Sequence, residues 1–526
     1  MVRKRSLVCV LLATGACHDA ESGASASVTG SKPRAREAVL FFTSELSGQV
    51  EPCGCRSRPL GGIQRIAAVV DRPGAAWIDT GDYLFPPRLP DHEADQHELK
   101  AHHLARIFRE AGGIALNVGP ADAQLGGAFL RSLQQEGALP MVSANVRPVG
   151  EGGPAVARSL SRKVGDLRVG ITGIATPEAL GSPEDFAALE YGPALATEVE
   201  VLREAGADVV VVLAQLERVH ALRLASAVSG IDLILHGSRP DDGWDEPSNT
   251  VRVGRTVVVD GGFKGRYVGR VGLALPSAPT DAPLRLRDPD RQRRLEVRVE
   301  TYRSELRRLQ ARGASDDVLA PRRARLDEAA RELAATRARA ARPPWVEVTR
   351  LPIEQELPAH PDAAQALEAY HAELVRLNWK AGDDGPCRLE EGGASYVGSE
   401  ACADCHPEAY AFWKNTPHAH AWATLVEREK QGDLTCIGCH SVGYRQPGGF
   451  CRLSNVGLLR DVGCESCHGP GSLHLMLGDP DAISRGLGER TCAGECHVTE
   501  HSDQFHYGTY LQVVTGPGHP LTSRDP

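Results

Sequence analysis

From Ala38 onward, short apolar runs alternate with longer amphipathic segments: VLFF, GIQRIAAVVD and AAWIDTGD, then RVGITGI, DVVVVLA and IDLIL. Runs of Val, Ile and Leu bounded by Gly and Asp predict buried strands, and the longer intervals His92–Ala111 and Leu195–Ala205 predict helices. The pattern predicts an α/β domain over residues 38–276. Polar side chains in such layers gather at the carboxyl ends of strands. Glu45, Asp79, Asp82, Asn117 and Gln215 each follow an apolar run and are expected to cluster there.

The pattern then changes. From Asp288 to Arg342 the chain is rich in Arg, Glu, Leu and Ala, with Leu295, Val299, Tyr302, Leu306 and Leu309 at helical spacing. GASDD interrupts the run, so two antiparallel helices with charged outer faces are expected. A further amphipathic helix is predicted over Ala363–Leu377. Residues 277–392 thus read as a helical spacer, closed by a Gly- and Asp-rich joint at 381–393.

The last segment, 393–526, has few long apolar runs and a different chemistry. CADCH (Cys402, Cys405, His406), CIGCH (Cys436, Cys439, His440) and CESCH (Cys464, Cys467, His468) follow one another closely. Each is a c-type haem attachment signature: two thiols add to the vinyl groups and the adjacent imidazole takes the iron. A tetrahedral zinc site also uses CxxC pairs, but it does not require a histidine directly after every second cysteine. CAGECH (Cys492, Cys496, His497) has three residues between its thiols; i and i+4 share a helix face, so it stands as a fourth candidate beside three regular ones. His418, His420, His474, His501, His506 and His519 are candidates for the sixth iron position, which a second histidine closes to substrates and adapts to electron transfer.

A length of 526 residues accommodates two or three domains, and a formal net charge of -9 argues against nucleic acid as a partner. Of 14 cysteines, those outside the four motifs are Cys9, Cys17, Cys53, Cys55, Cys387 and Cys451, too scattered to define a disulfide framework. Arg3, Lys4 and Arg5 precede a short apolar run from Leu7 to Ala13, so residues 1–17 read as an export signal and 18–37 as a flexible tether. Cys17 after ATGA resembles a lipoprotein signal, although Thr14 stands where an aliphatic residue is usual. Either a lipid anchor at Cys17 or simple cleavage is compatible, with the protein periplasmic or on the outer surface.

TSELSGQVEP, LGGIQRIAAVV, WIDTGDYLF, ALNVGPADAQLGG and TVVVDGGFKGRYVGRVGLAL resemble, in order, the blocks of 5′-nucleotidase-type metallophosphoesterases. The resemblance implies a four-layer αββα sandwich. The dinuclear metal site carries over badly. Glu45 and Ser47 stand where the family has Asp and His, Asp82 matches the bridging aspartate, and Pro120–Ala121 replace an Asn-His pair. Gln215, Ser238 and Pro240 occupy the places of later histidines. Two ions about 3.5–4 Å apart need more ligands than Glu45 and Asp82. No divalent metal is therefore expected in this domain, and His220 and His236 read as structural. Cys53 and Cys55 in EPCGCRSRPLGG read either as a local disulfide or as a thiolate pair for a metal or electrons.

YVGSEACADCHPEAYAFW, TPHAHAWATL, CIGCHSVGYRQPGGF, VGCESCHGPGSLH and the final GPGH resemble the tetrahaem cytochromes c of the nitrifier hydroxylamine-oxidation family. The resemblance implies His418 or His420, His474 and His519 as distal ligands, haems in closely packed pairs, and one iron without a distal histidine. The expected function is electron transfer between redox partner proteins by an exported multihaem cytochrome with an inactive phosphoesterase-like domain. The alternatives are a haem enzyme acting on a small nitrogen or sulfur compound, and an active nucleotidase.

Overall fold

The computed structural model describes residues 34–519 apart from 53–56, 138, 151–152, 177–183, 238–249, 288, 341, 381–386, 390, 485–487, 495 and 499–500. The export signal, Cys17, Cys53, Cys55, Ser238 and Pro240 lie outside the described residues.

Two sheets form the α/β domain. The first has the order β14-β15-β13-β1-β2-β3-β4. Its strands are β1 (Arg36–Thr43), β2 (Ala75–Asp79), β3 (Gly113–Asn117), β4 (Met141–Val142), β13 (Tyr267–Leu275), β14 (Arg285–Arg287) and β15 (Trp345–Pro352). The second runs β11-β12-β10-β9-β7-β6, from β6 (Ser159–Val164), β7 (Leu167–Ala175), β9 (Val209–Gln215), β10 (Leu233–Gly237), β11 (Val251–Val253) and β12 (Thr256–Asp260). A small pair, β5 (Val146–Pro148) and β8 (Phe186–Ala188), stands apart.

Side-chain alternation along each strand divides the apolar residues between layers. Leu40, Phe42 and Ile78 meet Val169, Ile171, Val211 and Leu213 between the sheets. Phe41 and Trp77, one position away, face the outer helices α1 (Ile63–Val70), α2 (Ala94–Glu110) and α3 (Gly126–Gly137). Val210 and Val212 face α4 (Tyr191–Glu204) and α5 (Arg218–Ala227) on the far side. The result is the αββα sandwich, and β9 is buried along its whole length. Each fully buried Val, Leu, Ile or Phe contributes roughly 1.5–3 kcal/mol.

The first sheet does not end at Pro276. Beyond that predicted boundary β15 pairs antiparallel with β13 along eight residues, Tyr267 opposite Pro352 through Ala274 opposite Trp345. Part of the expected spacer is therefore sheet. The two predicted helices, α6 (Pro289–Ala311) and α7 (Asp316–Ala340), are a hairpin inserted between β14 and β15. They share a small core of Leu295, Val299, Ala329 and Leu333. Helix α8 (Pro361–Asn378) packs Ala366, Leu367, Tyr370 and Leu374 into the same core as α1 and α2.

The C-terminal segment is built of short helices: α9 (Pro407–Trp413), α10 (Ala421–Glu427), α11 (Leu434–His440), α12 (Cys464–His468), α13 (Ser472–Leu477), α14 (Glu489–Ala493) and α15 (Tyr507–Val514). Its side-chain core is one cluster of Trp422, Leu425, Ile437, Phe450, Leu453 and Val456, joined by Trp379 from the end of α8. From Ala35 onward the described residues belong to one unit. A disulfide joins Cys387 to Cys451. Nothing in the spacing of the leftover cysteines singles out that pair, because the partners are 64 residues apart and meet only through the fold.

Candidate functional site

Three pairs of histidine rings face one another in the C-terminal segment. His406 stands 6.3 Å from His474, centroid to centroid, and is inclined by 23°. His468 stands 6.4 Å from His519 at 16°, and His418 stands 6.2 Å from His497 at 47°. Two imidazoles sharing one metal, each nitrogen about 2 Å from it, have centroids roughly 6 Å apart. Each pair takes one histidine from an attachment motif and one from outside the motifs. Of the alternatives His418 and His420, it is His418 that faces a motif histidine. Among the described residues no second imidazole stands opposite His440 at this spacing.

Hydrogen bonds orient four of these rings, whereas the buried Nδ1 of His519 has no partner. Nδ1 of His440 donates to the carbonyl of Ala421 at 2.7 Å, that of His468 to Ser484 at 2.7 Å, and that of His474 to Asp479 at 2.8 Å. His497 Nδ1 lies 3.2 Å from Ser502 Oγ. A proton held on Nδ1 leaves the Nε2 lone pair for a metal. His519 reaches His468 because Gly518, at φ +83°, runs against the Ala409 backbone, where a Cβ would come within 2.7 Å of its nitrogen.

None of the eight motif cysteines is in a disulfide. Cys402 and Cys464 touch: the hydrogen bond between them pushes Cys402 up and holds Cys464 down at about 6. The first and third motifs are therefore neighbours. Glu465, inside the third motif and buried, accepts from the backbone N–H groups of Val397, Gly398 and Gly471. It ties CESCH to the stretch before CADCH. Burial pushes Cys436 up to about 12, with the charge of Asp433 acting in the same direction and those of Lys430 and Lys100 against it. The residues present thus fit haem c: thiols in attachment spacing, oriented imidazoles, and opposed pairs at metal-sharing distance.

The second candidate site lies at the strand ends of the α/β domain. Glu45, Asp79, Asp82, Asn117 and Gln215 are all buried. The Gln215 amide Nε2 donates to Glu45 Oε1 at 2.7 Å and to Asp82 Oδ2 at 2.9 Å. An N–H donor thus stands between two buried carboxylates. Asp82 Oδ1 also accepts from Ala121 N at 2.7 Å. Behind it, Asp122 accepts from the N–H groups of Asp82, Gly119 and Leu84. Burial and the charge of Asp82 raise Asp122 to about 7.

Asn117 Nδ2 donates to the carbonyls of Thr80 and Ile174, both at 2.9 Å, while its buried Oδ1 has no partner. Both ring nitrogens of His236 are engaged, by Asp260 Oδ1 at 3.0 Å and Leu216 O at 2.7 Å, and His220 stacks on Tyr191. Glu45, Ser47 and Asp82 hold left-handed backbone at φ +45°, +54° and +53°, the kind of strain that persists at present or former functional sites. Among the described residues no group of three or more His, Cys, Asp or Glu side chains is arranged to hold a metal ion.

The family model for cytochrome c554 and c-prime matches residues 401–469. Cytochrome c-554 of Nitrosomonas europaea is 38% identical over 93 residues, 15% of this chain and 40% of that protein. The C-terminal segment is similar to a c-type cytochrome. The chain spans less than half the length of this relative.

Among solved structures, the 5′-nucleotidase precursor of Thermus thermophilus aligns at 19% identity and TM-score 0.46, covering 69% of this chain and 63% of its own. The sulfate thiohydrolase SoxB of the same organism aligns at 18% identity and TM-score 0.44, covering 72% and 69%. Both superpositions are partial, and the architecture of the α/β domain rests on the layers and strand orders described above.

The sequence had no direct signal for one feature. The bridging by Gln215 was visible only as a missing histidine.

Proposed function

We propose that the chain is an exported multihaem c-type cytochrome that carries electrons, and that its phosphoesterase-like domain hydrolyses no phosphate esters. The observation that carries this reading is the set of three imidazole pairs at 6.2–6.4 Å. In this proposal His406, His468 and His497 are the proximal ligands opposite His474, His519 and His418, and His440 is proximal without a partner imidazole. Cys402 with Cys405, Cys436 with Cys439, Cys464 with Cys467 and Cys492 with Cys496 hold the macrocycles. Haem c, when bound, supplies a one-electron iron couple. The chain supplies the thiols, the oriented Nε2 atoms and the carbonyls that keep the Nδ1 protons in place.

The spacing at His497 supports a fourth haem despite the extra residue in CAGECH, because its ring stands 6.2 Å from His418, as close as the pairs of the first and third motifs although turned by 47°. The Cys387–Cys451 disulfide supports an oxidising compartment. Redox partner proteins and any lipid at Cys17 belong to this same proposal. No helix among the described residues is long and apolar enough to cross a membrane.

Intact mass with a pyridine haemochrome assay tests the proposal. Four haems per chain are expected, and electron paramagnetic resonance should show three low-spin irons and one high-spin iron. Three haems with no signal from the fourth motif would sink the assignment of His497.

A second reading follows from His440. An iron left open there would bind a small nitrogen or sulfur compound, which makes a haem enzyme the alternative. Perturbation of the high-spin signal by nitrite or sulfite, followed by turnover with a reductant, would favour it. An active nucleotidase is disfavoured by the Gln215 amide between Glu45 and Asp82, and turnover of nucleotides with added manganese would revive it.

A further inference from the structure

We propose that the Ser502–Phe505 turn positions the imidazole of the fourth motif, Phe505 setting the plane in which His497 faces His418; this rests on reading CAGECH as an attachment site.

CAGECH has one residue more between its thiols than CADCH, CIGCH and CESCH. Its local structure differs accordingly. His440 and His468 are the last residues of the helices that carry their own motifs, α11 and α12. Helix α14 stops at Ala493, so Cys496 and His497 lie beyond it. The residues that follow supply what the helix does not.

Phe505 N donates to Ser502 O at 3.1 Å and closes a turn. The first residue of that turn sets its Oγ 3.2 Å from His497 Nδ1. The last lays its ring on the imidazole face, 4.4 Å between centroids and inclined by 16°. Tyr510 backs the stack, 5.0 Å from Phe505 and 5.9 Å from His497. The turn is also held from the α/β domain: Asp503 accepts from Ser57 N at 3.0 Å and from Ser57 Oγ at 2.7 Å. Ser57 lies on the loop between β1 and α1.

Rings stacked this closely hinder rotation about Cβ–Cγ, because an imidazole turned out of the stack drives its edge into the phenyl face. Of the three imidazole pairs, the one whose motif ring lies on a phenyl ring is the one whose planes diverge, by 47° against 23° and 16°. Neighbours that orient a metal ligand tune the metal. Parallel imidazoles direct their π density at one iron d orbital and split it from its partner. Planes turned apart share that density between both orbitals, bring the two levels together and raise the leading g value of a ferric low-spin iron.

Electron paramagnetic resonance of the full-length, haem-loaded, oxidised protein tests this, comparing wild type with Phe505→Leu, Phe505→Met and Phe505→Tyr. Wild type should show one low-spin signal with a larger leading g value than the other two. Phe505→Leu should shift that signal alone, while Phe505→Tyr, which keeps the stack, retains the wild-type value. Phe505→Met, with a flexible chain that fills the space without a ring, should give the same shift if leucine disturbs the packing. Three coincident low-spin signals in the wild type, an unmoved signal in the loaded leucine or methionine variant, or equal shifts in Phe505→Tyr and Phe505→Leu would overturn the role of Phe505. Peptide mass spectrometry of the same wild-type sample separates the two failures: no haem on Cys492 and Cys496 overturns the attachment reading itself.

Discussion

His418 and His497 come from opposite ends of the haem-motif segment and face each other with ring centroids 6.2 Å apart. His420, two residues from His418, has no such partner among the described residues. His418→Ala should therefore turn one low-spin iron high-spin while the covalent haem count stays unchanged. His420→Ala should leave the spin states as they are. Electron paramagnetic resonance of the two variants checks both statements, and a loss of low-spin signal in His420→Ala alone would reverse the ligand assignment.

Gln215 places positive-ended N–H bonds between the two buried carboxylates of Glu45 and Asp82. Removing a donor from buried acceptors costs about 1–3 kcal/mol, more where the acceptor is charged. Gln215→Ala is expected to destabilise the α/β domain by about 2–3 kcal/mol in urea unfolding. Gln215→His should not create manganese-dependent turnover, because Pro120 and Ala121 supply no further ligand.

Much of the architecture was legible in the residues. The strands VLFF, AAWID and VVVVLA, the long helix before Ala111 and the Arg-rich helical pair follow from local periodicity, which neighbouring residues suffice to set. The end of the domain was not. WVEVTRLP joins β13 across the inserted hairpin, a pairing between residues about 80 positions apart that no local pattern announces. The attachment motifs were likewise legible because their chemistry is consecutive in sequence. Which histidine faces which motif was only partly so, since His418 and His420 share one short turn, Pro417–His420, and only the fold decides which of them meets a motif histidine.

Asp122 and Glu51 should give the stability curve two opposite slopes. Burial and Asp82 raise Asp122 to about 7, against about 3.9 for an unfolded aspartate. The folded state therefore binds the extra proton between these values. The contribution of Asp122 is fully present below about pH 4 and is lost as pH rises through about 7, by up to about 4 kcal/mol. Burial also pushes Glu51 up, but the hydrogen bond from His371 and the charge of Lys430 outweigh it and hold the carboxyl at about 2. That contribution is present above the unfolded value near 4.3 and is lost as pH falls toward 2. Urea unfolding between pH 4 and 7 should show stability falling less, or rising more, with pH in Asp122→Asn than in the wild type, while Glu51→Gln leaves the slope in that window as it was.

The Cys387–Cys451 disulfide closes a loop of 64 residues that contains the first two attachment motifs. Cross-linking such a loop removes conformations from the unfolded chain, and natural disulfides of this kind contribute about 2–5 kcal/mol. Among the described residues the segment it closes has one small side-chain cluster, built on Trp422, Leu425, Ile437 and Phe450, and Cys451 directly follows that Phe450. Cys387→Ser should therefore lower the unfolding midpoint of the haem-motif segment while the α/β domain unfolds as before. Cys387→Ser with Cys451→Ser should match the single variant, since either change opens the same loop. Haem absorbance followed alongside far-ultraviolet circular dichroism separates the two transitions, and an unchanged haem transition in both variants would show that the disulfide adds nothing to this segment.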